Sequence, residues 1–466
     1  MKKLHNRDAC LWLSAVDKMT AMESAGRSAT AAQTGAAAPA LRPAPTKEVT
    51  ASESVAKAVE QHRLAVAAAP PPGPAAAVGD TVKYCATMAF KLGEAKVSAF
   101  FSHDQTQVNQ LSALFGGLGV CDPKWIKAVE AYAASKIAAA QAPIPYIKYQ
   151  QLSDFIIDGR LEDTATIAIV GDWGTGQPGA RTLLAQIASK KPDVVFHLGD
   201  VYYSGTEDEV KNYFYAIWQQ TLGLPLVPWG GAPADPRAKP VTFHLSGNHD
   251  MYSGGGPYYS VIRMLGQPAS YFCLRNARWQ FIAIDTGLHD ANPLDTSAKT
   301  FLEDTEVAWL KDKIANAGGR KTVLLSHHQL FTRFDAIGNA QSTNDVLLGQ
   351  LQDVLKNLTA WFWGHEHNLV IYKPFLNVLA RCVGHGAFPV SPDDPQSQPF
   401  PNVPIEDVSL ALDSTKDNYQ HGYATVALTG DTARATYYEY DANTHMEREL
   451  FTESLGVQAP QQPAVV

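Results

Sequence analysis

The chain of 466 residues carries 38 lysine and arginine residues against 46 aspartate and glutamate residues, a formal net charge of −8. This mild acidity gives no global attraction to duplex nucleic acid or an anionic membrane, and no run approaches the roughly 18 apolar residues that cross a bilayer. The 45% hydrophobic fraction suits a globular protein, and five scattered cysteines without C-x-x-C spacing argue against a disulfide framework or a cysteine zinc site.

Residues 1–80 differ from the rest in composition. They contain one aromatic residue, Trp12, and no Phe, Tyr or Ile, while Ala and Pro dominate. Such a segment buries too little apolar surface to offset its chain entropy, so we predict a disordered leader. A docking segment for a protein partner, of unknown identity, is the alternative. Asp8 and Asp17 bracket the first apolar stretch too closely for a convincing secretion signal, which favours a cytoplasmic protein over a secreted or periplasmic one.

Residues 81–150 have a helical pattern. Asp122, followed by a proline, is a good helix start, with an N-cap acceptor and a first-turn proline. We find no chemistry in this stretch and predict a helical appendage. A catalytic domain is expected over 151–455, and a short tail over 456–466.

From Thr164 onward, short apolar runs alternate with helical patterns. The strand-like runs that precede polar clusters are 166–170, 194–198, 241–245, 322–325 and 360–363. Hairpins are predicted at 271–287 and at 422–441, the second with Gly430 and Asp431 at its turn. The alternation favours an α/β fold with its ligand groups at the carboxyl ends of strands.

A polar cluster follows each of these five strand-like runs. The clusters are Asp172; Asp200 with Tyr203; Asn248, His249 and Asp250; His327 and His328; and His365 and His367. Because parallel strands place their carboxyl ends side by side, we expect the five clusters to converge. Carboxylate, amide, phenolate and imidazole form a mixed oxygen and nitrogen donor set without thiolate. There are too many donors for one ion, which favours a two-metal site.

GDWG, GDVYY, GNHD, a strand-terminal histidine and GHEH match, in order, the five blocks of the calcineurin-like metallophosphoesterases. The chain resembles this family over about residues 164–440. The first two blocks are most similar to purple acid phosphatases of the tartrate-resistant type, with Gly174 where the general family pattern has a histidine. The resemblance implies a metallophosphoesterase-type βα sandwich of two mixed sheets flanked by helices, here with the N-terminal helical appendage.

The resemblance also implies two metal positions that share Asp200. The first metal would be held by Asp172, Asp200, Tyr203 and His367, and the second by Asp200, Asn248, His327 and His365. His327 is preferred to His328 as the ligand because the family's ligand is the first residue after the strand. His249 corresponds to the family's catalytic histidine, and His328 is a second catalytic candidate.

A tyrosinate ligand at Tyr203 would favour a trivalent ion. We therefore expect a coloured centre of Fe(III) with a divalent ion, Zn, Fe or Mn. The implied activity is hydrolysis of small-molecule phosphate esters, in which a hydroxide held by the metals attacks phosphorus. Phosphomonoesters, as for acid phosphatases, are favoured.

One departure from the family leaves room for other functions. Small purple acid phosphatases carry another histidine shortly after the fourth block, and this chain does not. His328, Arg333 and Asp335 are candidates for its contacts with phosphate or the leaving group. Phosphodiesters or nucleotides are therefore an alternative substrate class, and a non-catalytic metal-binding scaffold is the remaining alternative.

Several other residues admit both a structural and a functional interpretation. The mid-strand His197 and His244 are interpreted as core histidines or as supports behind the ligands, and His289 and His385 lie on loops that could line the site. Trp173, Tyr202 and Tyr252 have two interpretations. They either pack within the protein or stack on a base or an aromatic leaving group of the substrate.

Overall fold

The computed structural model describes residues 143–456 except 203, 234–237, 292–298, 335, 339–340, 391, 393–397 and 417. The predicted leader, nearly all of the predicted appendage and the tail after residue 456 lie outside the described residues, so the domain boundaries stay predictions. Residues 143–149, at the end of the predicted appendage, form no helix. Within the described part of the chain, no helix is long and apolar enough to cross a membrane.

Two mixed sheets dominate the described residues. Their strands are β1 Ile156–Asp158, β2 Thr164–Val170, β3 Val194–His197, β4 Val241–His244, β5 Phe272–Arg275, β6 Trp279–Ala283, β7 Lys321–Leu325, β8 Leu358–Trp363, β9 Leu369–Ile371, β10 Ala380–Val383, β11 His421–Thr429, β12 Thr432–Asp441 and β13 Met446–Leu455. One sheet has seven strands in the order β1-β5-β6-β7-β8-β10-β9, and the other has six in the order β13-β12-β11-β2-β3-β4.

Both sheets combine parallel and antiparallel pairs. In the six-stranded sheet, β2, β3 and β4 are parallel, and β2 pairs antiparallel with β11. In the seven-stranded sheet, β6, β7, β8 and β10 are parallel neighbours. The predicted hairpins are present, because β5 pairs antiparallel with β6, and β11 with β12. The expected fold class, two mixed sheets flanked by helices, is confirmed.

Helices cover the outer faces of the sheets. The α-helices are Pro178–Ser189, Glu207–Glu209, Ala216–Leu222, Asn248–Met251, Gly256–Met264, Asp304–Ala315 and Asp345–Leu351, with a π-helical stretch Val210–Tyr215 and 3₁₀ turns Leu288–Asp290 and Leu355–Asn357. The first helix shows why they form. It begins with proline and buries Ala180, Leu183, Leu184 and Ile187 on one face, the i, i+3, i+4, i+7 spacing of an amphipathic helix.

The main core lies between the two sheets. Phe196 on β3 stacks on Phe243 of its own sheet and on Phe281 of the opposite sheet, with ring centroids 5.3 and 6.0 Å apart. All three rings are buried, and burying each contributes about 2 kcal/mol to stability. This packing fixes the two sheets face to face, so the loops after their strands meet at a common edge.

The polar clusters follow strands of both sheets. Three come after the adjacent parallel strands β2, β3 and β4 of the six-stranded sheet, and two come after β7 and β8 of the seven-stranded sheet. Side-by-side parallel strands therefore explain convergence within each sheet. Convergence of all five clusters depends on the packing of one sheet against the other.

Candidate metal centre

Strained backbone marks the loops that carry the polar clusters. Asp172, Asp200 and His365 have positive φ angles of 57°, 77° and 66°. Residues other than glycine rarely adopt this left-handed region, and such strain persists only where the surroundings enforce it. Here the surroundings include hydrogen bonds between the loops, since the His365 amide donates to Asp172 Oδ2 at 2.8 Å and the His249 amide donates to Asp200 Oδ1 at 3.1 Å.

The first group of donors surrounds the hydroxyl of Tyr202. This hydroxyl donates to Asp172 Oδ1 at 2.8 Å and lies 2.8 Å from His367 Nε2. His367 Nε2 is in turn 3.4 Å from Asp172 Oδ1. The structure thus brings together two of the ligands expected for the first metal. The phenol beside them belongs to Tyr202, whereas Tyr203, the expected phenolate ligand, lies outside the described residues.

The second group of donors surrounds His327 Nε2. This nitrogen lies 3.1 Å from Asn248 Oδ1, 3.2 Å from His365 Nδ1 and 3.4 Å from Asp200 Oδ1. His365 Nδ1 is also 3.1 Å from Asn248 Oδ1. These four residues are those expected to hold the second metal, and a ligand atom of Asp200 also lies within 4.8 Å of one of Asp172 in the first group.

The hydrogen bonds around the second group aim lone pairs at one another. His327 Nδ1 donates to the carbonyl of Leu198 at 2.9 Å, which leaves the Nε2 lone pair of a neutral ring facing the centre. The amide nitrogen of Asn248 donates to the hydroxyl of Tyr252, which turns Asn248 Oδ1 inward. Imidazole nitrogen, amide oxygen and carboxylate oxygen therefore face each other, and a cation is the species that such an arrangement suits.

Burial shapes the charge of the centre. Removal from water raises the pKa of Asp172 to about 6, and burial together with the charges of Asp172 and Asp250 raises the pKa of Asp200 well above its ordinary value. Burial lowers the pKa of His327 well below its ordinary value, and that of His365 to about 3. The protein alone thus disfavours charged carboxylates here, while it keeps the imidazoles neutral, as metal ligands must be.

The donors are also close enough for metal binding. Candidate ligand atoms of Asp172, Asp200 and His327 lie within 4.8 Å of one another, as do those of His327, His328 and His365. Together with the donor chemistry, this spacing fits the implied pair of ions. The roles of the individual ligands, and the identity of the metals, stay predictions.

A close backbone approach holds the second and third clusters together. A Cβ added to Gly247 would lie 2.0 Å from Asp200 Oδ1 and 2.7 Å from the Asp200 amide nitrogen. Only glycine therefore fits where the GNHD loop crosses Asp200.

His249, the predicted catalytic histidine, sits beside the centre. Its Nε2 lies 3.9 Å from Asp200 Oδ2, and its ring packs against those of Tyr202 and Tyr252, with centroids 4.7 and 4.8 Å away. The side chain is held by aromatic contacts while it remains next to the predicted bridging carboxylate, a suitable place for a group that meets substrate.

His328, the second catalytic candidate, has partners at both ring nitrogens. Nδ1 lies 3.1 Å from Thr286 Oγ1, and Nε2 lies 2.9 Å from Asp290 Oδ2. Burial lowers the pKa of His328 to about 3. Its ring lies next to that of His365, with centroids 4.5 Å apart. The structure thus places His328 at the edge of the second group, oriented by Thr286 and Asp290, and its catalytic role stays a prediction.

The remaining candidates are mostly occupied elsewhere. Arg333 donates to Gln398 Oε1 at 2.9 Å and to the Pro401 carbonyl at 2.8 Å, whereas Asp335 lies outside the described residues. His289 stacks on the ring of Phe301, with centroids 3.9 Å apart.

The loop histidine and the aromatic candidates differ in their surroundings. His385 is buried and donates from Nε2 to the Tyr438 carbonyl at 3.0 Å. Trp173 is fully buried, and its indole donates to the Ala180 carbonyl, so it packs in the core. Tyr252 instead orients Asn248.

Two residues at the centre, Tyr202 and Phe388, carry no clear signal in the sequence. Tyr202 was a candidate for packing or stacking, because the purple acid phosphatase pattern points to the tyrosine one position later. Phe388, which stacks on His367 with centroids 4.2 Å apart, lies 21 residues after it in the chain. No local sequence signal marks it, since only the folding of the loop after β10 brings it to the site.

Part of this chain is similar to known phosphoesterases. Residues 165–369 match the family model described as calcineurin-like phosphoesterase, and this stretch contains all five polar clusters. A glycerophosphodiester phosphodiesterase, GpdQ, of Enterobacter lignolyticus (strain SCF1) is 25% identical over 190 residues, which are 39% of this chain. The chain spans 58% of that relative's length.

Two solved structures show distant similarity to this chain. GAP50, described as the anchor in the inner membrane complex of Plasmodium, has 14% identity and a TM-score of 0.42, covering 64% of this chain and 90% of its own. A dimetal phosphatase from Danio rerio has 12% identity and a TM-score of 0.39, covering 61% of this chain and 98% of its own.

Proposed function

We propose that the calcineurin-like phosphoesterase domain of this chain hydrolyses phosphate esters with two metal ions bound at the centre described above. The observation that carries the proposal is that nitrogen and oxygen donor atoms direct their lone pairs to a common point. His327 Nε2 lies 3.1 Å from Asn248 Oδ1 and 3.4 Å from Asp200 Oδ1, on loops inside the stretch that matches the family model. Two ions held there would supply Lewis acids that activate water and stabilise charge on the phosphoryl oxygens.

Some side chains would bind the metal ions, and His249 would act on the substrate. Asp172 and His367 belong to the first group of donors and Asn248 and His327 to the second, and Asp200 would serve both. Asn248 adds an oxygen donor without a negative charge, which keeps repulsion of an anionic substrate low. His249 would touch the phosphate or the leaving oxygen from its place between two tyrosine rings, and would assist departure of the alkoxide.

Phosphomonoesters, favoured by the sequence, stay the first candidate substrates. Two observations support phosphodiesters as the second. The relative from Enterobacter lignolyticus is a glycerophosphodiester phosphodiesterase. In addition, Arg333, a cationic candidate for phosphate contact, is bound to Gln398 and to the Pro401 carbonyl. A diester carries one negative charge fewer than a fully ionised monoester, so it depends less on such a cation.

Two tyrosines are candidates for a phenolate ligand of Fe(III). We propose Fe(III) with a divalent ion, as the resemblance to purple acid phosphatases implies, and Tyr202 as well as Tyr203 is a candidate phenolate ligand. The contact of the Tyr202 hydroxyl with Asp172 and His367 supports Tyr202.

The test uses the full-length chain with p-nitrophenyl phosphate and bis(p-nitrophenyl) phosphate, which release the same chromophore. Metal-stripped protein is assayed before and after addition of Fe, Zn or Mn, and metal content is measured in each sample. We expect hydrolysis that requires added metal, and the ratio of kcat/KM for the two substrates identifies the preferred ester class.

The Asp200→Asn variant separates catalysis from a scaffold role. If the wild type binds two metal ions but hydrolyses neither ester faster than Asp200→Asn, the enzymatic proposal is wrong and a metal-binding scaffold is favoured. Equal activity with and without metal would overturn the metal-dependent mechanism.

A further inference from the structure

Two histidines form a hydrogen-bonded pair behind the metal centre. His197 lies at the end of β3 and His244 at the end of β4, and both are fully buried. Their Nδ1 atoms are 2.8 Å apart. Neither is a predicted metal ligand, and burying two imidazoles side by side is costly unless every ring nitrogen has a suitable partner.

The outer partners of the pair fix the direction of every hydrogen bond. The Trp173 amide donates to His197 Nε2 at 3.3 Å, so the His197 proton resides on Nδ1 and is donated to His244 Nδ1. The His244 proton is then on Nε2, which faces Asp250 Oδ1 at 3.3 Å. Both rings are neutral in this arrangement, in accord with the burial that lowers the pKa of His197 well below its ordinary value.

The far end of the chain of hydrogen bonds reaches the predicted bridging carboxylate. Asp250 Oδ2 accepts from the amides of Asp200 and Gly247, both at 2.9 Å. Asp250 is fully buried. One continuous path therefore runs from the amide next to Asp172, through His197, His244 and Asp250, to the amide of Asp200 itself.

The path connects the two aspartates whose backbones are strained. Asp172 and Asp200 have φ angles of 57° and 77°, conformations that relax unless neighbouring groups hold them. The path fixes the amide that follows Asp172 and the amide of Asp200. Its only links between these amides are side chains of β3, β4 and the GNHD loop.

We propose that His197, His244 and Asp250 are positioning residues that hold Asp172 and Asp200 in the geometry required for metal binding. The inference rests on the metal centre of the proposed function, and it does not depend on the substrate. Groups that orient metal ligands from behind typically change metal affinity about 10- to 100-fold when they are mutated.

The test measures metal binding rather than hydrolysis. Zn²⁺ is titrated by calorimetry into metal-stripped full-length protein. His244→Phe keeps a ring of similar shape against Phe214, on which His244 stacks with centroids 4.4 Å apart, but it removes both nitrogens. We expect zinc affinity to fall about 10- to 100-fold. His244→Gln, whose amide can donate to Asp250, should recover part of that loss.

A packing variant is the matched control. Phe214→Leu loosens the same aromatic cluster and removes no hydrogen bond of the path. We expect it to lower the melting temperature about as much as His244→Phe and to leave zinc affinity near that of the wild type. The proposal fails if His244→Phe binds zinc like the wild type, or if Phe214→Leu loses as much zinc affinity.

A second measurement needs no variant of His244. Nitrogen-15 NMR of the wild-type imidazoles, with assignments from His197→Gln, should show His197 protonated at Nδ1 and His244 protonated at Nε2. The reverse tautomers would contradict the path even if His244→Phe did not fold. A wild type that binds zinc but hydrolyses no ester would overturn the proposed function and leave this inference intact.

Discussion

The oxygen and nitrogen donors of the metal centre come from different sheets, and each sheet prepares its donors in a different way. Asp172, Asp200 and Asn248 follow strands of the six-stranded sheet, whereas the imidazoles of His327 and His367 follow strands of the seven-stranded sheet. The oxygen side depends mainly on backbone, since Asp172 and Asp200 both have positive φ angles and accept hydrogen bonds from backbone amides. The nitrogen side combines one positive φ angle, at His365, with side-chain orientation, such as the ring proton that His327 donates to the Leu198 carbonyl.

This difference shows how carboxylates and imidazoles can share one buried site. Burial raises the pKa of Asp172 and Asp200 and lowers that of His327 and His365, so it disfavours charge on both sides. Bound cations would reverse the effect on the carboxylates and use the neutral imidazoles as they are. The oxygen side should therefore be the more sensitive to small changes of backbone and charge.

The largest expected effect is that of Asp200→Asn, which removes the negative charge that faces both donor groups. We expect kcat/KM for the better ester substrate to fall about 1,000-fold, the upper scale for loss of a principal charge-stabilising group. Asp208→Asn, at an exposed position eight residues later, is the control and should change kcat/KM less than twofold. A similar small change at Asp200 would contradict its bridging role.

Gly247→Ala tests the dependence of the oxygen side on backbone. The new methyl group would lie 2.0 Å from Asp200 Oδ1, so the GNHD loop must shift, at a cost of about 1–3 kcal/mol. We expect metal affinity to fall about 10- to 100-fold, measured by zinc calorimetry. The control is Gly349→Ala, where nothing lies within 4 Å of the added atom. Equal zinc affinities for the two variants would show that backbone fit is unimportant.

Variants of the two adjacent tyrosines test which of them is the phenolate ligand between the oxygen side and the nitrogen side. The Tyr202 hydroxyl contacts Asp172 from the oxygen side and His367 from the nitrogen side. In Fe(III)-loaded protein we expect Tyr202→Phe to remove the visible charge-transfer band and to lower kcat about 10-fold. Tyr203→Phe should retain both. Loss of the band only in Tyr203→Phe would confirm Tyr203 as the ligand, as the family resemblance implies.

The smallest expected effect concerns the pH dependence of the free energy of unfolding, not the rate of hydrolysis. Burial lowers the pKa of His385 from 6.5 to about 4, so between these pH values the unfolded chain binds a proton that the folded chain does not. Stability therefore falls as pH is lowered through this window, with His385 contributing at most about 3 kcal/mol.

His385→Gln should make that pH dependence shallower, because glutamine can donate to the Tyr438 carbonyl without titrating. Urea unfolding of metal-stripped protein at pH 4.5 and pH 7 measures it. His445→Gln, at an exposed histidine, is the matched control variant. The prediction is wrong if both variants have the slope of the wild type.

Strongly patterned parts of the chain were predictable from the sequence. The apolar runs that became β2, β3, β4, β7 and β8 are bounded by glycine and polar residues, so their type and ends are marked locally. The helix Asp304–Ala315 and the hairpin of β11 and β12 have equally clear signals. Short strands such as β1 and β9, of three residues each, carry too little pattern to be recognised without the neighbours that they pair with.

The sequence predicts the site residues that lie within the five motifs, but not the partners that distant loops contribute. The five polar clusters were recognised in order, and the structure brings members of all five together. In the second block the Tyr202 hydroxyl donates to Asp172, whereas the family pattern points to Tyr203, which lies outside the described residues and stays a prediction. The partners of His328, and the ring of Phe388, come from loops distant in sequence, so no local signal could identify them.

Because the donors come from opposite sheets, any ion bound between them also joins the two halves of the fold, and its binding free energy adds to the free energy of unfolding. When an ion is in excess over its dissociation constant, each tenfold rise in its free concentration adds about 1.4 kcal/mol for each site. The cell's supply of metal would thus set how long the folded chain survives as well as how fast it works. A chelator would then lower the free energy of unfolding of this protein as well as inhibit it.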